Sequence, residues 1–288
     1  DNPQVVAAAT AGTNRVPREV LMDSGLARDA VVKCCDRDGD GDPDEVTFRL
    51  EVAEINGMPP ADEPANLSFS IAPGIEPGFW VFAPKSRGMV TERSRAGALV
   101  RMPSPSLRVE AGDRVRVVLA NTHYFPHTIH FHGVDHRFRV EGAGNDGVPQ
   151  TSETPVMPGE SKTYRFTPRV AGSFFYHCHV QPNVHVLMGL AGLFVVEPAA
   201  PDNRVQSLNV GAGRVRVQSR PSRQRFDREY DLVYQGVDPE LHNRVRASND
   251  PRVVQKAMHR DYFDGERRPS LFLLNGRSFP YTVRDSQI

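Results

Sequence analysis

Two short stretches constrain this chain more than anything else in it. The first is His127-Thr128-Ile129-His130-Phe131-His132-Gly133. The second is Tyr176-His177-Cys178-His179, running on to His185, Met188 and Leu190. Together they hold six of the ten histidines and one of the three cysteines. The flanking residues read as β-strand, in which successive side chains point to opposite faces. His177 and His179 therefore share a face and Cys178 takes the other. His130 and His132 share a face, with His127 opposite. Laid side by side, the segments sort their donors into two groups. One is His127, Cys178 and, from the loop beyond, His185; the other is His130, His132, His177 and His179.

A thiolate, two imidazoles and a weak axial ligand are the donor set of a blue-copper electron-transfer site. Four imidazoles alone suit copper or zinc. A single tetrahedral zinc site draws on Cys and His in closely spaced pairs. One thiolate among a surplus of imidazoles favours copper over that alternative.

With 288 residues there is length for two domains. Lys+Arg and Asp+Glu are equal at 35 each, so no global field draws the chain to nucleic acid or an anionic membrane. The 23 glycines and 24 prolines suit a turn-rich, β-dominated protein. No apolar run approaches the roughly 18 residues of a membrane span. The chain starts at Asp1, which reads as a mature or trimmed sequence whose targeting segment is absent. A copper thiolate site and the Cys34-Cys35 pair both fit an extracytoplasmic setting, periplasmic or secreted. Adjacent cysteines rarely bridge each other, so that pair is expected to stay reduced or to pair elsewhere.

Along the chain, residues 1–45 read as an N-terminal extension ending in an acidic loop. Asp36, Asp38, Asp40, Asp42 and Asp44 alternate around Gly41, like the start of a calcium loop. Thr47 stands where an EF-hand wants a bidentate Glu, and the alternative is a solvated acidic turn. Residues 46–198 read as one complete β-domain. Val46, Phe48, Leu50 and Val52 alternate as a half-buried strand. Residues 57–88, rich in Pro and Gly, read as a long loop. Residues 107–110 and 114–119 form a strand, turn and strand; 162–166 and 173–178 are further strands, and 190–197 is a strand buried on both faces. Residues 199–225 read as an arginine-rich interdomain linker. Residues 226–288, with strand signals at 229–235 and 271–275, are too short to close a sandwich and read as the beginning of a second domain.

His-x-x-His-x-His-Gly followed by His-Cys-His resembles the copper signature of the multicopper oxidases, the family of laccases, ferroxidases and bacterial two-domain oxidases. The resemblance is strong over residues 46–197. It implies an all-β, cupredoxin-type Greek-key sandwich or barrel, with one complete domain and the start of a second. It also implies copper of three types. His127, Cys178 and His185 match type 1 ligands, with Leu190 at the non-coordinating axial position and Met188 its rival. His130 matches a type 2 ligand; His132, His177 and His179 match type 3 ligands. The gap from Cys178 to His185 is longer than in laccases and shorter than in copper nitrite reductases. The implied activity is one-electron oxidation of a small reducing substrate at type 1 copper. It is coupled to four-electron reduction of O2 to water at a trinuclear cluster, through His130, His132, His177, Cys178 and His179.

That cluster takes eight histidines in the family, and this stretch supplies half. The rest are expected beyond Ile288 or from another chain, as in the homotrimers of bacterial two-domain members. His123, His136, His242 and His259 show no His-x-His pairing and read as surface or supporting residues. A copper nitrite reductase would carry Asp at position 130 and lack His179. A type 1-only electron-transfer protein would need none of the second group. The reducing substrate, whether phenol, metal ion or amine, is not legible.

Overall fold

The computed structural model describes residues 27, 29–39, 41, 43–58, 68–86, 100–199, 208–210, 216–218, 230–248, 250–262 and 269–284. In chain order the strands are β1 (Val31–Cys34), β2 (Glu45–Ile55), β3 (Phe79–Pro84), β4 (Leu107–Glu110), β5 (Arg114–Ala120), β6 (His130–Phe131), β7 (Arg139–Val140) and β8 (Ala143–Gly144). They continue with β9 (Ser161–Phe166), β10 (Gly172–His177), β11 (Ala191–Glu197), β12 (Leu208–Val210), β13 (Arg216–Gln218), β14 (Tyr234–Val237) and β15 (Leu271–Leu274). The helices are α1 (Pro182–His185), α2 (Pro239–Arg246), α3 (Pro251–His259) and α4 (Tyr281–Arg284).

Two sheets make the body. One runs β1-β2-β5-β9 with β3 also paired to β2; the other runs β4-β11-β10-β6. Each contains one parallel pair, β2 with β5 and β4 with β11, among antiparallel neighbours. The alternation at 46–52 does what its period demands. Val46, Phe48, Leu50 and Val52 enter a common core with Val115, Val117 and Leu119 of β5, and with Tyr176, Phe194 and Val196 of the opposite sheet.

Residues 57–88 are not all loop. β3 lies within them, and all six of its residues are buried. Trp80 and Phe82 face the central core, whereas Phe79, Val81 and Ala83 face a second cluster with Ile71, Met102, Val237 and Leu273. A strand covered on both faces shows no alternation, so the Pro and Gly around it dominated the reading. The N-terminal extension likewise contributes β1, which pairs with β2 from Val31↔Phe48 to Cys34↔Glu45.

The C-terminal segment carries strand signals at 229–235 and 271–275 in its sequence. It also holds α2 and α3, and both start in the same way. Asp238 and Asp250 cap the helices, accepting from the backbone N–H of Glu240 and Arg252, with Pro at the first helical position. Leu241, Val245, Val254, Met258 and Tyr262 bury themselves in the core of the first sandwich. β14 and β15 pair antiparallel and close the second cluster. Arg108 of β4 ties the segment down further, bonding Glu197 at 2.6 Å and Asp231. Of the expected linker, the described residues are 199 and the antiparallel pair β12 and β13.

Candidate metal centre

The first group converges. Nδ1 of His127 lies 3.6 Å from the Cys178 Sγ, and Nδ1 of His185 lies 3.5 Å from it. All three donors sit within 4.8 Å of one another and all are buried. His127 is pinned by a two-way backbone bridge to Val156, at 3.1 and 2.9 Å. Cys178 is pinned by its N–H donating to the Leu190 carbonyl. His185 arrives on α1, entered through Gln181 at φ 43 and Pro182. The return passes Gly189 at φ +115, where a Cβ would lie 2.6 Å from the Trp80 carbonyl oxygen; only glycine fits both constraints. Met188 and Leu190, the two axial candidates, are both fully buried here.

Burial holds His127 and His185 well below the usual imidazole range, so both are neutral donors near pH 7. Burial pushes the Cys178 thiol up to about 11, eased by hydrogen bonds from Thr128. An apolar pocket would not by itself make a thiolate; a metal cation would. Two neutral imidazoles aimed at one buried sulfur therefore fit a copper or zinc ion, and one thiolate favours copper.

One of the four histidines expected at the surface or in support takes the supporting role. His123 places Nδ1 2.9 Å from Nε2 of His127. Since Nδ1 of His127 faces Cys178, its Nε2–H is the donor and His123 accepts. This is the partner that orients a metal-binding imidazole. His123 is set by Asn121, whose side chain accepts the His123 N–H and donates to Phe125 and Val156 carbonyls. Trp80, the single tryptophan, stands edge-on to His123, His127 and His185 at 4.6, 6.0 and 5.3 Å.

The second group gathers on the other side of the same strand. Ring centroids lie 5.2 Å apart for His130–His132 and for His132–His177, and 5.5 Å for His130–His179 and for His177–His179. Nδ1–H of His130 donates to the Asp146 carbonyl at 2.5 Å, leaving Nε2 as a lone pair. Nδ1–H of His177 donates to the Cys178 carbonyl at 2.9 Å, and its Nε2 faces Nε2 of His132 at 3.1 Å. Facing imidazole nitrogens at that distance need a cation or a shared proton. His136 stacks on His130 at 5.1 Å and donates to the Phe131 carbonyl. His132 is exposed, so this side of the site faces outward.

The remaining expectations fall elsewhere. Asp36, Asp38 and Asp44 bring carboxylate oxygens together. Asp36 accepts from Gly39 and Gly41, and Asp44 from Arg37 and Asp38, as in a turn built on side-chain acceptors. Asp40 and Asp42 lie outside the described residues. Cys34 and Cys35 are exposed free thiols. His242 is no surface residue; it is buried and donates to the Gly78 carbonyl at 2.5 Å. His259 lies 5.8 Å from the His185 ring. Among the described residues, no helix is long and apolar enough to cross a membrane.

Comparisons with known proteins bear on the fold and on part of the sequence. The multicopper oxidase family model matches residues 88–201. The multicopper oxidase VdtB of Byssochlamys spectabilis is 38% identical over 96 residues, 33% of this chain and 13% of its own length. Laccase-1 of Emericella nidulans is 42% identical over 77 residues, 27% of this chain and 12% of its own. L-ascorbate oxidase of Cucumis sativus is 38% identical over 103 residues, 35% and 16%. The matches thus span a small part of each relative's length. Among solved structures, a blue copper oxidase from Nitrosomonas europaea superposes with a TM-score of 0.51 at 22% identity, covering 81% of this chain and 54% of that one. The multicopper oxidase mgLAC gives 0.50 at 21%, with the same coverage. The fold is therefore the cupredoxin-like β-sandwich of those proteins, and residues 88–201 match the family model of the multicopper oxidases.

Proposed function

We propose that this chain is the electron-accepting portion of a copper oxidase that takes single electrons from a small reducing substrate and delivers them to dioxygen. One observation carries the reading. Two buried, neutral imidazoles aim at Cys178, and the residues peptide-bonded to Cys178 are His177 and His179 of the second group. In this reading His127, Cys178 and His185 would hold type 1 copper, with Leu190 or Met188 beside it. His130 holds type 2 copper; His132, His177 and His179 hold type 3. Bound copper supplies one-electron exchange at the first group and reduction of dioxygen to water at the second.

The chain's own residues do the rest. Burial of the first group excludes water and fixes both imidazoles as neutral donors. Cys178 joins the groups through two covalent neighbours, a route only a few bonds long. The His130 bond to Asp146 and the His177 bond to Cys178 turn both Nε2 atoms toward the shared space. That space holds four of the ligands, and exposed His132 marks the side on which others complete it. They come from further sequence or from a second copy, in a homotrimer. The setting is extracytoplasmic, and a calcium ion at Asp36, Asp38 and Asp44 is a separate, structural expectation.

The test is copper content, visible absorption and oxygen uptake together. We expect intense blue absorption lost in Cys178→Ser. In His130→Ala the blue colour stays while oxygen uptake stops. One copper per chain with blue colour and no oxygen uptake would overturn the oxidase reading in favour of electron transfer. Nitrite reduction without oxygen uptake would point to a nitrite reductase.

A further inference from the structure

Behind the imidazoles of the second group lies a carboxylate to which the oxidase reading gives no role. The Glu153 side chain is 0% exposed. Its Oε1 takes the Lys162 ammonium at 3.0 Å and the Tyr164 hydroxyl at 2.5 Å. These partners stand two residues apart on β9 and so share a face of that strand. Its Oε2 accepts the Gly147 N–H at 2.8 Å. The carbonyl of that same peptide unit, belonging to Asp146, accepts Nδ1–H of His130 at 2.5 Å. A single peptide plane therefore joins Glu153 to a metal-facing imidazole. Gly147, at φ +78, lets the plane come that near. A Cβ there would lie 2.2 Å from the Ile129 carbonyl oxygen and 2.9 Å from the His130 backbone nitrogen.

We propose that Glu153 is a positioning residue for the second group, acting on His130 through the Asp146–Gly147 peptide; the inference rests on the reading of His130 as a metal ligand. A metal-binding imidazole is oriented, and made a stronger donor, by the acceptor of its other N–H, commonly a carboxylate or a backbone carbonyl. Here the two act in series. Negative charge on Glu153 draws the Gly147 N–H, which adds electron density to the Asp146 carbonyl oxygen. That oxygen in turn draws Nδ1–H of His130. The result at the far end is a more basic Nε2, turned toward the shared space. The peptide passes on the polarisation and keeps the charge itself at a distance, where Lys162 balances it. The Asp146 carboxylate is engaged elsewhere: it accepts from the Val148 N–H and from the Thr151 and Ser152 hydroxyls.

The test begins with copper-free protein, where no oxidase chemistry enters. Couplings across hydrogen bonds should connect His130 Nδ1 to the Asp146 carbonyl carbon and Gly147 N to the Glu153 carboxyl carbon. Absence of either, with the couplings of the β5–β9 ladder visible, would overturn the relay in the unaltered chain. Glu153→Gln combined with Lys162→Met then removes the charge and its counter-ion together. The new amide oxygen still accepts from Gly147 and its NH2 faces Tyr164, so a merely structural role survives the change. We expect the His130 Nδ1–H resonance to move upfield, while that of His177, bonded to the Cys178 carbonyl, stays in place. No movement, or equal movement at both rings, would refute the part played by the charge.

Copper(II) is added last. The variant should fill the first group, seen as blue absorption, with the parent's affinity. It should bind the second, non-blue copper, followed by electron paramagnetic resonance, roughly 10–100-fold more weakly. Equal affinity for that copper would also overturn the proposal. A parent protein that binds no non-blue copper would instead refute the reading of His130 as a ligand, and the couplings in copper-free protein would still decide the relay.

Discussion

His242 should make the fold acid-labile by an amount that can be isolated. The ring sits between α2 and β3, 0% exposed, with Nδ1–H donated to Gly78 and the Phe79 ring edge-on at 4.8 Å. Burial pushes it down to about 4, opposed by the Gly78 bond and Asp238. An imidazole whose folded pKa lies below its ordinary 6.5 lends full stability above pH 6.5. That stability is lost as pH falls toward 4, because only the unfolded chain takes the proton. Between pH 7 and pH 5 the loss works out at about 2 kcal/mol, and by pH 4 it reaches about 3 kcal/mol. His242→Asn keeps a side-chain N–H for Gly78 and has nothing to titrate. Urea unfolding of the copper-free protein at pH 7 and pH 5, followed by Trp80 fluorescence, gives the two slopes. The other buried histidines are common to both proteins and cancel. Parent and variant losing equal stability over that interval would show that His242 is not held neutral by this packing.

Three further outcomes are expected. Met258→Ala should destabilise the whole protein by about 2–5 kcal/mol, since its side chain is fully buried in the central core; denaturant midpoints read this, and a change confined to local fraying would contradict the shared core. Gly189→Ala should cost blue absorption before it costs secondary structure, because the added Cβ meets the Trp80 carbonyl and displaces the return from His185; circular dichroism beside visible titration separates the two. Copper(II) uptake at pH 7 should release one proton at the first group, from a Cys178 thiol held up near about 11. An indicator dye in weak buffer measures it, and zero release would mean the thiolate is already formed.

Much of the site could be read from parity alone. The one-residue alternation of His177, Cys178 and His179, at the end of β10 and just past it, separates two donor groups, and His127, Cys178 and His185 do converge. His123 could not be read that way. It lies on a loop four residues before His127, and only the path fixed by Asn121 folds it back. In the fold, half-buried β2 announced itself by period, while β3 had no period to show. The helices α2 and α3 carry a signal of their own, Asp-Pro at 238–239 and again at 250–251.

β3 has one more consequence, for where the protein divides. Its inner face belongs to the sandwich and its outer face to a cluster completed by Val237 and Leu273, far down the chain. Cutting after Glu197 would bare Phe79 and Val81 on one side, and would strip Leu241 and Met258 from the core on the other. Such a fragment would have lost a wall and been left with sticky apolar surface. The segment expected to open a second domain thus also covers the first. Residues 27–284 should melt in one transition, and limited proteolysis should release no separately folded half.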